Sequence, residues 1–150
     1  MKLSTLSLPF ALLGILALPV QASTCTPISN AQVLELFSQW NSSLQSGEPH
    51  QVAALYSEDA ILLPTLSGEP RLTTASRIDY FNSFLSKQPS GTLDTHHVTQ
   101  GCNMVSLSGL YTFTFAQSGE RVPARYSFTY RLDGERWLIN SHHSSLLPST

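Results

Sequence analysis

The sequence predicts an α+β domain, with helices packed on one face of a curved, mainly antiparallel sheet. Three observations carry that prediction. Apolar residues recur at helical spacing in the first half of the chain. The period drops to two from Leu93 onward. Asp133-Gly134 then marks a tight turn between the last two strands.

The elements follow in chain order. Ser29 and Gln32 form a capping-box pattern, with Ile28 placed as its staple residue. Val33, Phe37, Trp40 and Leu44 then make one helical stripe, and Gly47 supplies a stop. Pro49 opens a short second helix carrying Val52, Ala53 and Tyr56. Ala60 to Leu63 reads as a strand ended by Pro64. Thr73 or Thr74 caps a third helix, whose stripe is Ile78, Phe81 and Leu85, widened by Phe84. That helix ends before Pro89.

Four long strands are expected after it. His97 to Gln100 and Met104 to Leu107 flank a hairpin turn at Gly101-Cys102-Asn103. Leu110 to Gln117 and Arg121 to Arg131 alternate aromatic and polar residues. Trp137 to Leu147 closes the sheet. The last strands carry arginine, tyrosine, histidine and serine on both faces, which points to a concavity or a partner on the second face.

Charged residues make up 12% of the 150, about half the usual share, and the net charge is −2. That balance argues against disorder, and against nucleic-acid binding through a basic face. Lys2, an apolar run from Leu3 to Leu18, and Val20-Gln21-Ala22 form the three parts of a secretory signal peptide cut after Ala22. The apolar run of about 16 residues is short of the roughly 20 that span a bilayer. Residues 1–22 are thus read as a cleaved leader and 23–150 as one domain, periplasmic or secreted, with no membrane association after cleavage. In an oxidising compartment Cys25 and Cys102 are expected to pair, stabilising the fold by about 4 kcal/mol in chain-entropy terms. The alternative is two buried, unpaired thiols.

Several segments together resemble a known family. They begin with Trp40, Gly47, Leu55-Tyr56-Ser57-Glu58-Asp59-Ala60, Leu62-Leu63-Pro64-Thr65 and Arg71. They continue with Ile78-Asp79-Tyr80-Phe81, Phe84-Leu85, Gly109-Leu110-Tyr111-Thr112-Phe113, Ala124-Arg125-Tyr126-Ser127-Phe128 and Trp137, and end with His142-His143-Ser144-Ser145 and Pro148. In order and spacing the chain resembles the nuclear transport factor 2-like (SnoaL-like) superfamily. Within it, the chain is similar to bacterial stand-alone relatives of the calcium/calmodulin-dependent protein kinase II association domain. The resemblance implies a cone-shaped barrel, a pocket between helix and sheet, and self-association as a homodimer or larger ring. It also brings a choice, because the superfamily holds both enzymes and non-catalytic modules. The chain carries no kinase domain and no calmodulin-binding segment, so kinase regulation is not expected of it.

Candidate site residues follow from both readings. Arg71 and Arg125 are expected in the pocket, where a guanidinium cannot shed its proton and needs an anionic partner. The alternative for each is a structural pair with Glu58, Asp59 or Asp79, or a solvated strand face. Adjacent strand residues point to opposite faces, so His142 and His143 cannot share one metal, and neither can His96 and His97. The resemblance favours His143 as the pocket residue, with Tyr111 and Tyr56 lining the same space. No metal, no cofactor and no nucleic-acid partner are expected. The expected function is an exported, homo-oligomeric module binding a small anion. The alternatives are a cofactor-free isomerase, dehydratase or cyclase with His143 as acid/base, and a pure assembly module.

Overall fold

The computed structural model describes residues 24–65 and 67–148; the proposed leader and its cleavage site lie outside them. Helix α1 (Asn30–Leu44) opens on the expected capping box. The Ser29 side chain accepts from the Gln32 amide, and the Gln32 side chain accepts from the Ser29 amide. Its buried stripe is Val33, Phe37, Trp40 and Leu44, as the spacing predicts. The short α2 (Pro49–Ala53) is followed by β1 (Tyr56–Leu63). Helix α3 (Thr74–Leu85) is capped by Thr73. Four strands complete the chain: β2 (Pro89–Gly101), β3 (Met104–Phe115), β4 (Glu120–Asp133) and β5 (Arg136–Leu146).

The sheet order is β1-β5-β4-β3-β2. β1 runs parallel to β5, and the other neighbours are antiparallel. This is the expected α+β architecture of helices against a mainly antiparallel sheet. Two boundaries differ from expectation. Tyr56 belongs to β1, not to α2, because the Ile139 amide donates to the Leu55 carbonyl (2.9 Å) and draws the chain into the sheet. The segments at Met104 and Leu110 are one strand. Gly109 lies at their join, where a Cβ would stand 2.2 Å from the Thr95 carbonyl oxygen, so only glycine lets β2 approach there.

Cys25 and Cys102 form a disulfide. It pins the segment before α1 to the β2–β3 turn, with help from Asn103, whose side-chain oxygen accepts from the Thr26 amide (2.7 Å). The core lies between α1, α3 and the inner sheet face. Trp40, Phe81, Tyr111, Tyr126, Phe128 and Tyr130 are among its fully buried members.

Two irregularities in the sheet position everything that follows. In β5, Tyr130 pairs with Ile139 but Thr129 pairs with Ser141, so Asn140 is an extra residue. In β1, Tyr56 pairs with Ile139 and Ile61 with Ser141, so residues between them bulge away from β5.

Candidate functional site

A cavity of about 540 Å³ opens between α3 and the inner face of the sheet. α3 contributes Tyr80, Phe81 and Phe84; β3 contributes Tyr111, Phe113 and Phe115. These rings pack edge to face, Phe84 against Phe113 at 5.4 Å and Tyr111 against Phe113 at 4.8 Å. The result is an aromatic box with a few polar groups set into it.

Arg71 is one of them, as expected. Its backbone exchanges two hydrogen bonds with Leu62 (2.8 and 3.1 Å), which fixes it against the edge of β1 and places its side chain on the cavity wall. Its Nη2 donates weakly to Ser67 Oγ (3.4 Å), and its Nε is buried with no protein partner. The one ion pair among the described residues joins Arg131 and Asp59 at the surface (2.8 Å), so the alternative partners considered for Arg71 do not engage it. The hydrogen bond from Arg131 holds Asp59 down to about 2. Lys87 also lines the cavity, its ammonium 5.9 Å from the Phe115 ring, and Glu120 is the one acid in the lining.

Arg125 and His143 are not in the cavity. In β4 the inward residues are Ala124, Tyr126, Phe128 and Tyr130, and Arg125 stands exposed on the other face. His143 is likewise exposed. Its neighbour His142 points inward because the extra residue Asn140 reverses the alternation begun at Trp137. The expectation that His143 serves the pocket is therefore corrected to His142.

His142 is only 4% exposed and lies flat on Phe128, ring centres 3.9 Å apart. Its Nδ1 is 2.8 Å from Tyr56 Oη, which in turn accepts from Trp40 Nε1 (3.1 Å). Burial first, and the neighbouring His143 second, push its pKa down to about 3. It is therefore neutral near pH 7 and a poor proton acceptor. Tyr56 is thus a support behind the cavity and not part of its lining. Burial raises the Tyr56 phenol well above its ordinary value, and lifts Tyr80 to about 12. Tyr111 does line the cavity, as expected; its Oη donates to Ser144 Oγ, which Thr65 Oγ1 also meets.

Sequence reasoning missed Arg77. It is fully buried, and its guanidinium donates to the carbonyls of Ala60 (2.7 Å), Ser57 (3.0 Å) and Glu58 (3.1 Å) and to Thr74 Oγ1 (3.0 Å). Those carbonyls belong to the β1 bulge, which has no strand to pair with. The signal was present: Arg77, Phe81 and Leu85 are spaced by four, so Arg77 sits on the buried stripe of α3. Among the described residues no group of three or more His, Cys, Asp or Glu is placed to hold a metal ion.

The calcium/calmodulin-dependent protein kinase II association domain matches residues 29–148, nearly all of the described chain. The chain belongs to this family. The association-domain fold here is shared with a Xanthomonas campestris protein assigned to the same domain. The two are 37% identical, with 87% of this chain and 100% of that one covered and a TM-score of 0.76. A Nostoc punctiforme protein of unknown function with a cystatin-like fold is 13% identical, covers 85% and 97%, and has a TM-score of 0.70. A Catenulispora acidiphila protein in complex with S-DNPA is also 13% identical, covers 77% and 91%, and has a TM-score of 0.67. At such identities the last two show the fold alone. No curated protein is similar enough to match.

Proposed function

We propose that this association-domain protein is an exported, self-associating binding module whose cavity takes a small organic anion at Arg71. One observation carries the reading: a guanidinium on the wall of an aromatic cavity, with no carboxylate of the described chain paired to it. A guanidinium stays charged and recognises a carboxylate through two parallel N–H donors, while the rings accept an apolar body. Lys87 adds a second positive charge and Glu120 a negative one, so the lining favours an anion by one charge. The Catenulispora acidiphila relative, in complex with a small molecule, supports ligand binding on this fold.

The catalytic alternative loses its acid/base. His143 is on the outer face, and His142 holds its proton too weakly to act near neutral pH. Self-association would use the outer face of the sheet. There Ser108, Ser127 and His143 lie in register across β3, β4 and β5. Light scattering on the mature chain tests this part, and a monomer at micromolar concentration would refute it. The mass of the secreted protein tests cleavage after Ala22.

For the cavity, the test is calorimetric titration with 4-isopropylbenzoate. Binding that weakens at least tenfold in Arg71→Gln, about 1.4 kcal/mol, supports the reading. Equal affinity in the two proteins would overturn it.

A further inference from the structure

Three hydroxyls meet at one end of the cavity. Thr65 comes from the turn after β1, Ser144 from β5 and Tyr111 from β3. Tyr111 Oη and Thr65 Oγ1 both contact Ser144 Oγ at 2.5 Å. Three hydroxyls carry three protons, and two contacts use two of them. One O–H is therefore left without an acceptor in the cluster, whichever way the hydroxyls rotate. Burial holds the Tyr111 phenol above its ordinary value, so the cluster cannot shed that proton instead.

A second chain of donors ends beside the first. Trp40 Nε1 can only donate, and it donates to Tyr56 Oη. Tyr56 Oη has no other acceptor among its side-chain contacts, so its proton is assigned to His142 Nδ1. The neutral imidazole keeps its own proton on Nε2, which is buried with no protein partner. His142 and Ser144 are successive inward positions on β5; His142 Nε2 is sealed behind the wall, so the hydroxyl cluster supplies the donor that a ligand can reach. Phe128 and Trp40 pack on His142, and Phe113 on Tyr111. In such surroundings an anion would lack compensation, whereas an uncharged acceptor satisfies a donor without bringing in charge.

We propose that the β5 end of the cavity is a subsite for an uncharged carbonyl oxygen, so that the ligand is an oxo acid with its carbonyl at Ser144 and its carboxylate at Arg71. The carboxylate half rests on the function proposed above; the carbonyl half stands on the hydroxyl cluster alone. The comparison of 4-acetylbenzoate with 4-isopropylbenzoate tests it, because the two share the ring and carboxylate and differ by a carbonyl oxygen in place of a methyl group and a hydrogen. The protein should prefer 4-acetylbenzoate about tenfold. Ser144→Ala alone would free the Tyr111 and Thr65 protons. Removing all three hydroxyls together (Thr65→Val, Tyr111→Phe and Ser144→Ala) should bring the two within twofold, and the urea midpoint of that variant shows that it folds. Acetophenone and isopropylbenzene, run in parallel, repeat the comparison without a carboxylate. A preference for acetophenone that the triple variant removes supports the subsite even if Arg71 proves irrelevant. Equal affinities within both pairs, or a preference that survives loss of all three hydroxyls, would overturn it.

Discussion

The two faces of the sheet use the same residue types for different ends. On the inner face, His142 is stacked, hydrogen-bonded and neutral; one residue on, His143 stands in solvent. Arg71 lines the cavity, while Arg125 and Arg131 occupy the outer face, the latter paired with Asp59. Burial, not residue identity, decides which of these groups does chemistry. The inner face itself divides again. Arg77 spends its donors on carbonyls of the β1 bulge, whereas Arg71 holds donors in reserve. One cation maintains the wall and the other stands on the cavity lining.

The largest effect should come from Arg77. Arg77→Met leaves two buried carbonyls and a part-buried one unpaired and should cost about 3 kcal/mol or more in urea unfolding. A loss below about 1 kcal/mol would show that the bulge does not depend on it.

His142 sharpens the contrast between faces through pH. The unfolded imidazole takes a proton near its ordinary 6.5, and the folded one refuses it until about 3. Stability should therefore fall as pH drops from 6.5 toward 3, by about 1.4 kcal/mol per pH unit from this one group, and level off below 3. Asp59, lowered to about 2, adds a loss of the same sign only below about pH 4. His142→Gln should flatten the curve between pH 6.5 and 4. A curve that keeps its slope in His142→Gln would show that another group is responsible.

The smallest effects belong to Arg125 and His143. Arg125→Ala and His143→Ala should each change 4-isopropylbenzoate affinity by less than twofold. A larger change in affinity would return the binding site to the outer face.

Much of this was legible in the chain. The Ser29 cap, the α1 stripe and the β4 alternation follow directly from the order of residues. That alternation already placed Arg125 opposite Tyr126 and Phe128; resemblance to a family with arginines in its pocket pulled it inward instead. The position of His143 could not be read off. Alternation counted from Trp137 reverses at Asn140, and a one-residue bulge leaves no mark in a run as polar as Asn140-Ser141-His142-His143. Arg71 and Tyr111 were found through the resemblance, in whose matching segments both stand. Arg77 was passed over because a charged residue on a helical stripe reads as the stripe's end, when here the bulged carbonyls of β1 give it partners. The hydroxyl cluster joins residues 65, 111 and 144, which only the fold brings together.

The central claim is that charge at Arg71 selects the guest. The direct measurement is the ratio of affinities for 4-isopropylbenzoate and its uncharged amide, which share their shape. The protein should favour the carboxylate at least tenfold, and Arg71→Gln should erase the difference. Equal binding of acid and amide by the unaltered protein would contradict the account.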